Sequence, residues 1–424
     1  MPRRLLLVLG AIVWLSAVIC GQALPGVLED NSVFGPTKLH RVHVSFSQGE
    51  WDVLQKSGIR GSPGTRGEDY TLSDGRIVHL GGGFGLAFPW VHADLLLNGL
   101  EIKDAGLRFK GNNSFVKPAA TVPLSTNLKV KTDLFGGKAD WNGVETLNFN
   151  FGARDPSLMR EALAYAIFRE AGVPASRTAY AEITFTVPGL HENAKAGVFT
   201  VVENVNKQFL KRVLPPGTGL LMKPEGTRGG ILSLGPTWAS YVPVYRPERE
   251  ATPHEQQRVI DFAGLVSQPD VALFREKIGT FLDVDEFLRF VAVNLFIVNG
   301  DSYISGNHNY YLYLDPKDDK FRFIPWDQDL SMAGQQRGQS NGPDVLRPNV
   351  GNNALIYWLL DDPAVAEKYR AIVKELAASV FVAPVLNKMV ADAEQVLPGR
   401  DPSTKNFLNN RAAYIQSAVA AAEK

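Results

Sequence analysis

Apolar and polar positions divide the chain into a strand-rich front and a helix-rich back. His40-Arg41-Val42-His43-Val44-Ser45-Phe46 alternates with period two, as a half-buried strand does. A short helix start comes next at 51–54, with Gly-rich turns at 58–67 and 81–85, and strand-like runs at 93–97, 107–110 and 128–131. The first clear helix is predicted from Asp155-Pro156, because Asp caps free amides and Pro suits the first helical position. Leu158, Met159, Ala162, Leu163, Ala166 and Ile167 fall on one face of it, and Gly172 and Pro174 stop it. Strands over 179–187 and 197–203, with a turn at 191–193, read as an antiparallel hairpin.

In the back half, helices are predicted over 253–265 and 283–298, with Asp283 as a cap and Phe287, Phe290, Val291, Leu295 and Val298 on the core side. Strands over 310–314 and 321–325 flank the polar turn Pro316-Lys317-Asp318-Asp319. Helices over 354–381, 385–396 and 406–421 complete the chain. Strands first and helices after imply an α+β protein of two lobes. The sheet-rich N-terminal lobe covers about 39–205 and the helical C-terminal lobe about 206–424.

The first residues change the setting. An apolar run over 5–19 stands behind Arg3 and Arg4 and ahead of Gly21-Gln22-Ala23, the pattern of a signal peptide over 1–23. The run is short for a span, and no later stretch is long and apolar enough to be one. Export to the outside or the cell surface is therefore expected, with a Pro- and Gly-punctuated linker over 24–38. Cys20 is the one cysteine, and lipidation there is disfavoured by the large Ile19 before it. Cleavage after Ala23 leaves no disulfide, thiol nucleophile or cysteine metal site. Lys plus Arg equals Asp plus Glu at 44 each, so no global field draws nucleic acid or an anionic membrane. An anionic ligand must be held by a local site.

Such a site is predicted between residues 299 and 329. Asn299-Gly300-Asp301 ends a buried helix, His308 and Asn309 open a strand, and Asp327 and Asp329 come after the strand that returns. A hairpin brings its outer ends together, so Asn309 and Asp327 become neighbours with Asp301 close by. Converging carboxylates and amides are costly unless paired or metal-bound. Their oxygens suit Mg²⁺ or Mn²⁺, and Mg²⁺ commonly shares its sphere with phosphates. Helix, Asp, Asn, hairpin and Asp is also the order of a protein kinase catalytic core, although His-Arg-Asp and Asp-Phe-Gly are absent. One His with two Asp would also serve a metal-dependent hydrolase built on His308, Asp301 and Asp327.

Asn307-His308-Asn309-Tyr310-Tyr311-Leu312-Tyr313 and Ile324-Pro325-Trp326-Asp327-Gln328-Asp329 resemble two signatures of the spore coat protein kinase (CotH) family. Arg108-Phe109-Lys110-Gly111-Asn112-Asn113-Ser114-Phe115 is similar to a third, with Asn113 and Phe115 as departures. The helix from Asp155 to Pro174 and the segments 197–203 and 209–212 agree as well, so the likeness spans roughly 40–400.

The resemblance implies an atypical kinase-like fold that takes ATP and Mg²⁺ or Mn²⁺ and phosphorylates Ser or Thr of a protein substrate. It assigns Asp301 as the catalytic Asp, Asn309 as the metal-binding amide with Asn307 behind it, and Asp327 as the metal-binding Asp. Asp329 either assists Asp327 or caps the next segment. In the front half, the turn holding Asn113 and Ser114 is a phosphate cradle by its backbone amides. Lys131, ahead of Lys129, is the phosphate-contacting lysine, and Glu161, ahead of Glu170, is its partner. Glu203 is placed near the adenine pocket, and Lys223 is a further ligand candidate. The alternative is a non-catalytic secreted surface or coat binding protein that retains the fold.

Overall fold

The computed structural model describes residues 33–60, 64–111, 115–119, 121, 123–137, 140–225, 230–267, 270–333, 342–397 and 402–422. The expected signal peptide, most of the linker, and Asn113 and Ser114 lie outside them.

The front holds strands β1 (Leu39–Ser45), β2 (Ile59–Arg60), β3 (Asp69–Thr71), β4 (Ile77–Leu80), β5 (Leu86–Pro89), β6 (Val91–Leu97), β7 (Leu100–Phe109), β8 (Leu128–Lys131) and β9 (Thr146–Asn150). Helix α1 (Gln48–Leu54) lies between β1 and β2. Next come α2 (Arg160–Glu170), β10 (Thr178–Val187), β11 (His191–Glu203), α3 (Lys207–Val213) and β12 (Leu220–Met222). Helices α4 (Trp238–Tyr245), α5 (Pro253–Ser267), α6 (Val271–Phe281), α7 (Val284–Phe296) and α8 (Tyr303–Gly306) precede the hairpin β13 (Tyr310–Asp315) and β14 (Lys320–Pro325). The chain continues through α9 (Ala354–Leu360), α10 (Pro363–Ser379), α11 (Ala383–Glu394) and α12 (Pro402–Ala422).

Alternation in the front strands closes a barrel rather than leaving an open sheet. The order is β1-β10-β11-β9-β8-β7-β6, and β6 returns to β1. One face of each strand fills the interior, with Val42, Val44, Leu107, Phe109, Val130 and Phe149 in one apolar cluster. The opposite face of β7, β8 and β9 therefore points outward. The register sets Arg108 beside Lys129 and Lys129 beside Asn148, giving that face a polar, cationic stripe. A smaller sheet, β2-β5-β4-β3, is inserted between α1 and β6.

A second apolar cluster gathers α2 with α5, α6, α7, α9, α10 and the inner side of β12-β13-β14. Asp283 caps α7 as predicted, accepting from the Glu286 amide. The hairpin and the 179–203 pair also form, although His191 is already strand and the turn lies before it.

Three expectations shift. The helix predicted from Asp155-Pro156 starts at Arg160, because Leu158 takes a left-handed φ of 62° and Asp155 folds back to accept the Arg160 amide at 2.8 Å. The single helix predicted over 354–381 is two, broken at Asp361-Asp362-Pro363, where Asp362 caps a new start. The end of the expected linker is packed: Val33 and Phe34 join the barrel core, and Gly35 donates to Thr178 O at 2.9 Å. No single helix among the described residues is long and apolar enough to cross a membrane, and the bent pair α10 and α11 passes that test by length and composition only.

One buried acid makes stability pH-dependent. Glu286, in the first turn of α7, lies 3.6 Å from Arg322, and burial pushes its carboxyl up to about 7. Between the ordinary carboxylate range and about 7, the folded state then binds more protons than the unfolded one. This contribution is complete at low pH and is lost as pH rises through that window. Thermal unfolding of Glu286→Gln should therefore fall less between pH 5 and pH 8 than that of the parent. Equal pH profiles would refute the assignment.

Candidate active site

The C-terminal end of α7 is held by a distant residue. Arg411 of α12 donates to the Leu295 and Phe296 carbonyls at 2.9 and 3.3 Å, filling acceptors that a helix end leaves open. The chain then turns sharply at Val298, with φ of 49°, an uncommon conformation for a β-branched residue. Asn299 fixes the loop beyond this turn. Its Oδ1 accepts the Asp301 amide at 2.9 Å, and its Nδ2 donates to Gln328 Oε1 at 2.9 Å. Gln328 in turn donates to the Trp326 carbonyl at 2.8 Å. The two polar ends of the site, 299–301 and 326–328, are thereby tied together through a buried amide pair.

Asp301 is gripped from the hairpin. Asn309 Nδ2 donates to its carbonyl at 2.6 Å and to Oδ2 at 3.0 Å, and His308 Nε2 pairs with Oδ1 at 2.6 Å. The His308 hydrogen bond holds the Asp301 carboxyl below the ordinary range, and the same bond raises the imidazole. Asn309 O accepts from the Trp326 amide at 3.1 Å, so Asn309 and the strand end before Asp327 are neighbours. The left-handed φ of Asn307, Asn309 and Asp327 (55°, 60° and 53°) suits Asn and Asp best among residues with side chains.

Helix α2 supplies the other wall. Its Tyr165 hydroxyl accepts the Asp327 amide at 3.1 Å, and Glu161, one turn earlier, is buried. Asn150 of β9 donates to Glu161 Oε2 at 2.7 Å. Two residues back on the same strand face, Asn148 Oδ1 accepts from Lys110 Nζ at 3.4 Å. Lys110 directly follows β7 on the outward face of the barrel, above the Trp326 ring at 5.6 Å. Burial pulls its ammonium down while Glu161 and Asp327 oppose that pull. Burial and the Asp327 charge push the Glu161 carboxyl up, and burial with Asp327 and Glu161 does the same to Asp329. Asp327 is also raised, by burial first, against Lys110 and Lys223. The pocket thus holds three carboxylates that resist ionising together.

Two further expected residues stand elsewhere. Lys131 pairs with Asp69 of β3 at 3.6 Å and lies 5.3 Å from the Trp90 ring, and the lysine whose charge acts on Glu161 is Lys110. Glu203 is buried between two guanidinium groups, 2.9 Å from Arg177 and 2.6 Å from Arg212, so its oxygens are already taken. Lys129 faces Arg108, Lys223, Lys131 and Lys110, and burial among these cations pulls it far down. The reading from sequence missed Lys110, Tyr165, Asn148 and Asn150. A signal for Lys110 was present, since it shares parity with Arg108 inside the 108–115 motif.

The donor set of Asn309, Asp327 and Asp329 is all oxygen, which fits a hard divalent cation. Among the described residues no three His, Cys, Asp or Glu groups converge closely enough to hold a metal alone. Such a cation would need additional oxygens from a ligand or water.

The chain is a mixed α+β protein with a carboxylate and amide site between a barrel face and a helical core. It belongs to the CotH kinase protein family, whose model matches residues 107–420. It is 24% identical over 295 residues to inner spore coat protein H of Bacillus subtilis, covering 65% of this chain and 79% of that one. Among solved structures it is similar to the proinflammatory kinase CtkA of Helicobacter pylori, with 10% identity and a TM-score of 0.32 over 73% of this chain and 93% of that one. It is also similar to a chain of the Shewanella oneidensis HipA and HipB toxin–antitoxin complex with operator DNA, with 12% identity and a TM-score of 0.33 over 67% and 59% of the two chains.

Proposed function

We propose that this chain is an ATP-dependent, metal-dependent protein kinase that phosphorylates Ser or Thr of a protein substrate. The observation that carries the reading is that Lys110 and Glu161 bond to Asn148 and Asn150 on one strand face, with Asp327 bonded to Tyr165 of the Glu161 helix, beside Asp301 held by Asn309. Nucleotide would lie between the barrel region, about 39–205, and the helical region, about 206–424. Asn309, Asp327 and Asp329 would hold Mg²⁺ or Mn²⁺, with phosphate oxygens completing its sphere. Bound there, the cation supplies charge neutralisation for the transferring phosphoryl group.

The residues of the chain divide the remaining work. Lys110 offers an ammonium to the phosphates, and Glu161 steadies it. Asp301 orients the acceptor hydroxyl. Its lowered pKa makes it a weak base, which suits a loose transition state in which positioning outweighs early proton removal. The polar 333–353 stretch, of which 334–341 lies outside the described residues, comes after the Asp327 segment and is where a protein substrate would dock. The apolar start of the chain, together with the spore coat location in the relative's name, supports export and a coat or surface setting.

The test is incorporation of label from radioactive ATP into the chain itself or into casein, with Mg²⁺ or Mn²⁺ and with chelator. Metal-dependent labelling is expected, and its absence with both metals would overturn the reading. The same assay separates the lysines. Lys110→Met should lower kcat/KM by roughly 10²-fold or more, the scale for losing one preorganised charge donor. Lys131→Met should stay within about threefold, the scale of an exposed ion pair. The reverse order would return the role to Lys131.

A further inference from the structure

Lys223 stands directly after β12, whose Met222 is paired with Leu312 of β13. That register sets the lysine beside Tyr311 and Trp326, with Nζ 5.8 and 6.0 Å from their ring centroids. Lys110 approaches the same Trp326 ring at 5.6 Å. Both ammonium groups bear on Asp327, and Lys129 lies within electrostatic range of both. The main chain here is fixed: Lys223 N donates to Arg246 O and Glu225 N to Val244 O, each at 3.1 Å. Lys223 pairs with Glu225 at 3.2 Å, and Glu248 also lies within electrostatic range of it.

Between Asp301 and Asn309 the sequence carries no Lys or Arg, and His308 is already bonded to Asp301. Charge for a polyphosphate must therefore come from outside that loop. The Lys110 ammonium is bonded to Asn148 and lies in the field of Glu161 and Asp327. Lys223 is the second cation at the Trp326 ring, and its counter-ion Glu225 lies two residues further along the chain.

We infer that Lys223 is a second phosphate-contacting lysine of the nucleotide site, and that Glu225 is the counter-ion it leaves when nucleotide binds. The inference rests on the kinase function proposed for this site. A third residue reports on the exchange. Gly82, in the glycine turn between β4 and β5, lies against Glu225, and a Cβ built there would meet the Glu225 carboxylate. Its φ is not in the left-handed region, so Gly82→Ala should displace the flexible Glu225 end rather than strain the turn.

Calorimetric titration of the full chain with ATP and Mg²⁺ tests the exchange. Lys223→Gln should weaken binding roughly tenfold to a hundredfold, the scale of a charge-assisted hydrogen bond. Lys223→Arg should recover most of the loss. Glu225→Gln and Gly82→Ala should bind about two- to fivefold tighter than the parent, because a competitor for Lys223 is removed or moved. In turnover, Lys223→Gln should raise KM more than it lowers kcat. A Lys223→Gln affinity within about twofold of the parent, less than any charge-assisted bond would cost, would overturn this inference and leave the kinase function standing. So would a Glu225→Gln that weakens binding as Lys223→Gln does, since a purely structural ion pair loses the same from either side. A parent that shows no metal-dependent heat with ATP would overturn both.

Discussion

Asp301→Asn will lower the rate of phosphoryl transfer by roughly 10²–10⁴-fold, the range for losing a positioned acid–base group, while nucleotide affinity changes little. The replacement is nearly isosteric. Asn309 still finds the residue 301 carbonyl, its 2.6 Å partner, so the loop should keep its course. What disappears is the anionic acceptor that the hydroxyl of a substrate would meet. His308 loses its 2.6 Å partner too, and the raised imidazole should return toward its ordinary range. Nucleotide binding is expected to persist because Lys110, Glu161 and Asp327 are untouched. Single-turnover transfer and calorimetry on the same preparation check both halves. Transfer within about fivefold of the parent, well short of an acid–base loss, would remove Asp301 from the reaction. Equal losses in affinity and rate would instead make it part of the nucleotide site.

The back half of the site was legible because its parts are close in sequence. A capped helix, a polar exit and a hairpin of six-residue strands leave few ways to arrange Asp301, Asn309 and Asp327. The front half was not. Alternation shows that Lys129 and Lys131 share a face of β8, but not which end of that face meets α2. Closure of the barrel decides it: Lys131 ends under β3 against Asp69, and Lys110 reaches Asn148, within electrostatic range of Glu161. The ion pairs of Glu203 were hidden for a similar reason. Its arginine partners lie 26 residues before and 9 residues after it, and no local pattern announces them. Tyr165 reads in the sequence as one more helix residue, and only the fold brings its hydroxyl to the Asp327 amide. Long-range pairing, which periodicity does not encode, separates the two halves.

Backbone strain and crowded charge meet at Asp327. Val298, Asn307, Asn309 and Asp327 all hold left-handed backbone, at a cost of order 1–3 kcal/mol each where the residue is poorly suited. Asp327, Glu161 and Asp329 add mutual repulsion in a pocket that burial makes less polar. A fold tolerates this only if surrounding contacts over-determine it. The Asn299–Gln328 amide pair and the Arg411 clamp on α7 are contacts of that kind.

This balance makes Asp327→Asn the most informative change. Metal-dependent transfer should fall roughly 10²–10³-fold, equivalent to the several kcal/mol that a bound cation contributes. The ligand-free protein should nonetheless melt higher than the parent at pH 7. The Asp327 carboxyl is raised in the folded state, so folding favours its neutral form even after the attraction of Lys110 and Lys223 is included. Asn is that neutral form, with the same shape and an equal tolerance of the left-handed φ of 53°. Removing the charge also eases the Glu161 and Asp329 carboxyls, both of which it pushes up. Stability held back by ionised Asp327 is present below its unfolded pKa and lost as pH rises, so the gain from Asn should shrink toward pH 4. Adding Mg²⁺ and ATP should reverse the order: the parent gains stability by binding and the variant gains far less. Thermal melts at pH 4 and pH 7, with and without Mg²⁺ and ATP, read all of these signs. A variant less stable than the parent without ligand would show that Asp327 is held for structure. A variant more stable without ligand and equally stabilised by it would move the metal to Asp329.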